Sequence, residues 1–156
     1  MPCLGLVEFE RSTGVTEQLR RIGYWFDPFD ESESSYPQPQ ELVREGWLGT
    51  QARVTLLAYL RSAPTFVYNF GYSWCRFRCG AHCSQMGSKE LWDGVWVWPE
   101  GLVHYVERHH VFLPEEFVER AISGPPPKFQ DRRGSTPRPD IAFWLDWASK
   151  HSQKVH

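Results

Sequence analysis

The chain has 156 residues, of which 41% are hydrophobic and 15% aromatic, values typical of a globular domain whose core is built largely from rings. A formal net charge of -2 argues against binding to nucleic acid through overall charge. No apolar run approaches the roughly 18 residues that cross a bilayer, and the acidic Glu8 and Glu10 argue against a signal peptide. We therefore expect a cytoplasmic protein with neither a membrane nor nucleic acid among its partners.

The first part of the chain predicts short elements separated by an irregular segment. Residues Leu4 to Phe9 are typical of a strand, and Thr16 to Ile22 of a short helix that is ended by Gly23. Proline, serine and aspartate mark residues 24–38 as an irregular connection that is anchored by its aromatic residues. Pro39 can occupy the first turn of a second short helix, which runs to Arg44.

A longer helix is predicted from Thr50 to about residue 61, before Pro64 prevents its continuation. On this helix Val54, Leu57 and Ala58 are predicted to share one apolar face. The pattern then changes to strict alternation, which predicts a strand from Thr65 to Trp74 with one aromatic face.

A second strand is predicted at Val95 to Trp98, directly after the turn-forming pair Asp93-Gly94. Helices are expected at about 100–110, 114–123 and 140–150, because their apolar residues recur at helical spacing and proline or glycine limits them. The predicted fold class is thus α+β: a small antiparallel sheet flanked by about four helices in a single domain.

The predicted domain organisation has three parts. Residues 1–124 form a globular α+β core, 125–139 a strap rich in proline and arginine, and 140–156 a C-terminal amphipathic helix. The helix must dock on the core or on a partner, and docking on a second copy would give a homo-oligomer.

The densest group of reactive side chains comprises Cys75, Cys79, His82 and Cys83, which offer three thiols and one imidazole within nine residues. These side chains are candidate zinc ligands. However, three residues separate consecutive cysteines instead of two, so a site would need His104, His109, His110 or Cys3 to complete it.

Two other interpretations of this segment remain open. The favoured one needs no cofactor, because free cysteine is commonly a small buried hydrophobe. Alternatively, one of Cys75, Cys79 and Cys83, with Cys75 as the named candidate, acts as a nucleophile with His104 as its base, and Arg76 and Arg78 favour the thiolate. Glu100 is a further candidate catalytic acid, although a glutamate in the first turn of a helix more often stabilises the helix dipole.

Three tryptophans, Trp92, Trp96 and Trp98, surround the predicted hairpin and form either a partner-binding surface or part of the core. The chain has no glycine-rich phosphate loop and no nucleic-acid-binding motif. The favoured hypothesis is a non-enzymatic intracellular protein-interaction module that binds, neutralises or scaffolds a protein partner. The alternative is a small cysteine- or zinc-dependent enzyme built on Cys75–Cys83.

Overall fold

A computed structural model describes residues 18–128 and 138–153, which form an α+β fold with five helices and a four-stranded mixed sheet. The strands are β1 (Arg20–Arg21), β2 (Thr65–Tyr68), β3 (Lys89–Trp92) and β4 (Trp96–Pro99). The helices are α1 (Thr50–Ser62), α2 (Cys83–Met86), α3 (Leu102–His109), α4 (Glu115–Ser123) and α5 (Ala142–His151). Two 3₁₀ turns, Glu31–Glu33 and Pro39–Leu42, precede α1. The predicted fold class is confirmed.

The sheet has the strand order β1-β4-β3-β2. Strands β2, β3 and β4 pair antiparallel, whereas β1 pairs parallel to β4. The turn between β3 and β4 depends on Asp93, whose Oδ1 accepts hydrogen bonds from the backbone N–H groups of Val95 (2.9 Å) and Trp96 (2.7 Å). Gly94 adopts a φ of 90°, a conformation that favours glycine at this turn.

Asp93 is buried and also joins this turn to the helical layer. Its Oδ2 accepts hydrogen bonds from the Tyr59 hydroxyl of α1 (2.7 Å) and from Nε of Arg120 on α4 (3.1 Å). Burial and the adjacent Asp93 carboxylate raise the pKa of Tyr59, so the phenol keeps the proton that it donates. One carboxylate therefore connects the sheet with two helices.

The core lies between the sheet and the helices and is dominated by aromatic rings. Phe117 of α4 packs edge-on against Trp96 and Trp98 of β4, with ring centroids 5.9 and 5.2 Å apart. Helix α1 contributes Leu56, Leu57, Tyr59 and Leu60 to this core. Val54, predicted to face inward, is exposed, because the buried face of α1 is rotated away from it.

Helix α5 docks on the rest of the fold through Trp144, which is fully buried. The Trp144 indole packs edge-on against Trp25 (5.3 Å between centroids), and its Nε1 donates a hydrogen bond to the carbonyl oxygen of Tyr24 (2.8 Å). An amphipathic helix that is too short to be stable alone gains its stability from such a contact. The terminal helix therefore docks within its own chain.

Two predicted elements were wrong, and one strand was not predicted. The described part of the predicted helix Thr16–Ile22 contains β1, because Arg20 and Ile22 donate hydrogen bonds to the β4 side of the sheet instead of forming a helical turn. The sheet is mixed because of this parallel pairing. The predicted strand Thr65–Trp74 ends at Tyr68, and the chain then turns with Gly71 at a φ of 82°. The sequence prediction also missed β3.

The strand predicted at Leu4–Phe9 and most of the predicted strap, residues 129–137, lie outside the described residues. Within the described ranges, no helix combines the length and the apolar character that crossing a bilayer requires.

Candidate metal centre

Four side chains from two parts of the fold meet beside α3. Cys75 and Cys79 belong to the loop that follows β2, and His104 and His109 belong to α3. The two sulfur atoms and one nitrogen of each imidazole all lie within 4.8 Å of one another. Cys75 is buried, and the other three side chains are half-buried. This Cys₂His₂ group could hold a metal ion.

A tight turn brings the two thiols together. The backbone N–H of Arg78 donates a hydrogen bond to the carbonyl oxygen of Cys75 (2.9 Å), and Arg78 adopts a φ of 52°, which is uncommon for a residue with a side chain. The turn reverses the chain, so that Cys79 lies beside Cys75 although three residues separate them in sequence.

Tyr105 of α3 holds this turn in place. Its hydroxyl accepts a hydrogen bond from the backbone N–H of Arg76 (3.0 Å) and donates one to the carbonyl oxygen of Trp74 (3.3 Å). Burial raises the pKa of Tyr105 to about 12, which keeps the phenol protonated. The peptide groups on both sides of Cys75 are therefore tied to the helix that carries the two histidines.

The helix supplies the histidines at its two ends. His104 lies in its first turn and His109 is its last residue, and the ring centroids lie 5.1 Å apart. The imidazole of His109 stacks on Phe77 at a centroid distance of 4.0 Å and an interplanar angle of 6°. His110 then ends the helix with a φ of 55°. The stack fixes the plane of the His109 ring.

Two of the separations between ligand atoms match those of a tetrahedral metal site. Cys75 Sγ lies 3.4 Å from His109 Nε2, and Cys79 Sγ lies 3.4 Å from His104 Nε2. A tetrahedral zinc ion, with bonds of about 2.3 Å to sulfur and about 2.0 Å to nitrogen, would separate these atoms by about 3.5 Å. The same separations also fit thiol–imidazole hydrogen bonds, so the pairing alone does not require an ion.

Burial shifts the pKa values of His104, His109 and Cys75. Burial, helped by nearby cationic groups, lowers the pKa of His104 and of His109 below the ordinary value. Both imidazoles are thus neutral at neutral pH, the form that binds a metal. Burial also raises the pKa of Cys75, which makes its thiolate costly unless a cation lies beside it.

The group borders a cleft of about 590 Å³ that is lined by Cys79, His104, Arg61, Glu107 and Arg108, among others. Arg61 and Glu107 form an ion pair across it, at 2.6 Å. The cleft gives solvent a route to Cys79 and His104, whereas Cys75 is 5% exposed.

Two of the four predicted metal ligands lie outside this group. His82 caps the short helix α2, where its Nδ1 accepts a hydrogen bond from the backbone N–H of Ser84 (3.2 Å), and Cys83 is exposed at the start of the same helix. The other two members of the group are His104 and His109, which the sequence analysis named among the residues that could complete a site.

The remaining candidate site residues have structural contacts. Glu100 Oε2 accepts hydrogen bonds from the backbone N–H groups of Ser88 (3.0 Å) and Lys89 (3.2 Å). Trp96 and Trp98 are buried in the core, so their rings offer no open face to a partner, whereas Trp92 is half-buried against Phe66.

Comparisons of the chain with protein-family models, with curated proteins and with solved structures find no match. The functional argument therefore depends on the geometry described above.

Proposed function

We propose that this protein is a non-enzymatic, intracellular protein-interaction module whose partner-binding loop is held in shape by one zinc ion. The ligands would be Cys75, Cys79, His104 and His109. The observation that carries the proposal is the approach of their four ligand atoms to within 4.8 Å of one another.

The ligand chemistry favours zinc over other common ions. Calcium and magnesium prefer oxygen ligands, whereas two thiolates and two imidazoles in a tetrahedron suit zinc. The three described cysteines carry free thiols, a state that a reducing intracellular compartment maintains. Zinc would also supply the positive charge that stabilises a thiolate at the buried Cys75.

A structural role for the ion follows from the number of ligands. Catalytic zinc sites use three protein ligands and keep a fourth position for water or substrate, whereas a Cys₂His₂ set fills all four positions. An ion held in this way would connect the loop after β2 to α3, and binding would stabilise the folded chain.

The enzymatic alternative has less support. A nucleophilic cysteine needs a lowered pKa, but burial raises the pKa of Cys75. Glu100, the candidate acid, is engaged by two backbone N–H groups. These contacts argue against Cys75 and Glu100 as catalytic groups.

The loop that the ion would anchor also carries two exposed aromatic side chains, and a third lies just before it. Phe70 is fully exposed and Tyr72 is 60% exposed, and both lie a few residues before Cys75. Tyr68, at the end of β2, is 70% exposed. Exposed rings mark interaction surfaces because they bury a large area at little entropic cost. We infer that a protein partner contacts these three rings.

Metal analysis tests the zinc part of the proposal, with Cys83→Ser as a matched control for Cys79→Ser. Both variants remove one thiol from the same segment, but only Cys79 belongs to the Cys₂His₂ group. We expect one zinc ion per chain in the purified protein and in Cys83→Ser, and loss of zinc in Cys79→Ser. Equal zinc content in the two variants would exclude the proposed ligands.

Affinity capture with the intact protein tests the interaction part. We expect specific partners from a native extract to be lost when Phe70 and Tyr72 are both changed to serine. They should be kept in Val54→Ser, which removes an exposed apolar side chain on α1. Cys79→Ser should also reduce capture, because the loop would lose its anchor. A partner set that none of these changes alters would contradict the proposed surface.

A further inference from the structure

A groove lies between the start of α4 and one side of α5. Its volume is about 670 Å³. Three of the rings that line it pack together: Phe112 lies 6.3 Å from Trp47 and 4.9 Å from Trp147, measured between centroids. All three are half-buried, so each ring keeps one part of its surface open to the groove. The rest of the apolar lining comprises Leu48, Leu113, Pro114, Val118 and Phe143.

The rim of this groove is acidic. Glu115, Glu116 and Glu119 of α4 line it and are exposed. Glu116 forms an ion pair with Arg20 (3.0 Å), whereas Glu115 and Glu119 form no ion pair with another described residue. Two arginines lie close by, since the guanidinium of Arg44 is 4.8 Å from the Phe112 ring centroid and that of Arg20 is 5.0 Å from the Phe143 ring centroid. Beside the apolar floor, Glu115 and Glu119 nevertheless keep carboxylates that pair with no cation among the described residues.

We propose that this groove binds the apolar face of a basic amphipathic helix from a partner protein. Apolar side chains of the helix would cover the three rings, and lysine or arginine side chains beside them would face Glu115 and Glu119. Helices commonly dock in this way, with apolar anchors at helical spacing and charges that set orientation.

The negative charge of the rim argues against one other possible occupant, residues 1–17 of the same chain. Residues 1–17 contain an apolar stretch, but they also contain Glu8, Glu10 and Glu17 against the single Arg11. Like charges would oppose its docking beside the glutamates of α4. The groove shares no residue with the metal centre, so this inference stands independently of the proposed zinc site.

The test uses the full chain and a capped peptide of leucine and lysine with leucines at helical spacing, titrated by calorimetry. The comparison peptide has glutamate at every lysine position. We expect the lysine peptide to bind one to one and the glutamate peptide not to bind. Glu119→Lys should weaken binding roughly fivefold, whereas Glu31→Lys, an exposed charge reversal elsewhere, should not.

Nuclear magnetic resonance locates the peptide. The indole N–H signals of Trp47 and Trp147 should shift on binding, while that of the buried Trp98 should not. Circular dichroism verifies that each variant is folded. The zinc content of each variant shows whether a loss of peptide binding arises at the groove or at the Cys₂His₂ group.

Several outcomes would overturn the inference. The first is equal binding of the two peptides, and the second is no binding of the lysine peptide to a folded monomer. A dimer that Trp147→Ala abolishes would make a second copy the occupant. In the free chain, Arg132 and Arg133 can both be changed to glutamate. If this change shifts the Trp147 indole signal, the occupant of the groove is the chain's own segment 125–139 instead of a partner helix.

Discussion

Tyr105→Phe removes one oxygen atom and tests how α3 holds the thiol turn. The Tyr105 hydroxyl accepts a hydrogen bond from the backbone N–H of Arg76 (3.0 Å) and donates one to the carbonyl oxygen of Trp74 (3.3 Å). The variant leaves that N–H without its acceptor, and we expect the free energy of unfolding to fall by about 1–2 kcal/mol. The second hydrogen bond is long and adds little.

The same change should weaken zinc binding. Contacts that orient a ligand typically change metal affinity by about 10–100-fold, and the lower value fits one good and one long hydrogen bond. Competition with a chromophoric chelator measures the affinity, and urea unfolding measures the stability. Tyr72→Phe is the control, because the exposed Tyr72 hydroxyl bonds to no other described residue. An unchanged zinc affinity in a folded Tyr105→Phe variant would refute the reasoning.

Two further predictions concern protonation and the buried turn. Because burial raises the pKa of Cys75, zinc must displace its proton, so affinity should rise by about tenfold or more per pH unit from pH 6.5 to 8. Protons compete with zinc for His104 and His109 only below that range, since the pKa values of both imidazoles are lowered. A zinc affinity that does not change with pH, measured by chelator competition, would contradict the expected rise. Asp93→Ala leaves the Tyr59 hydroxyl and two backbone N–H groups without a hydrogen-bond acceptor. The free energy of unfolding in urea should therefore fall by about 3–5 kcal/mol. A loss below about 1 kcal/mol would show that water replaces the carboxylate.

The elements that sequence predicted well are those with local signals. Helices α1, α3, α4 and α5 have apolar residues at helical spacing and proline or glycine near their ends, and the Asp93-Gly94 pair predicted the hairpin turn. In each case the determining residues lie within one or two turns of one another. Local patterns suffice for such elements.

The missed elements depend on distant contacts. Strand β1 has two residues, and its hydrogen bonds connect it to β4, more than seventy positions away. Strand β3 places Glu90 in a buried position, where Tyr24 donates a hydrogen bond to it and Arg21 forms an ion pair at 3.3 Å. A buried glutamate interrupts the apolar pattern of a strand, so no local signal marks β3.

The Cys₂His₂ group could be predicted only in part, for a related reason. The density of thiols identified Cys75 and Cys79, but the turn through Arg78, a residue with a positive φ, is not encoded by a glycine. Cys83 and His82 were equally plausible by spacing. Only the packing of α3 against the loop brings one nitrogen of His104 and one of His109 to within 4.8 Å of the two sulfur atoms.

X-ray absorption at the zinc edge of the purified protein tests the central claim most directly. The account predicts one zinc ion with two sulfur ligands at about 2.3 Å and two imidazole nitrogens at about 2.0–2.1 Å. Replacing His109 with alanine should remove one nitrogen ligand while leaving both sulfurs. A shell with three sulfur ligands, with no sulfur, or with a bound water in the unaltered protein would contradict a closed site at Cys75, Cys79, His104 and His109.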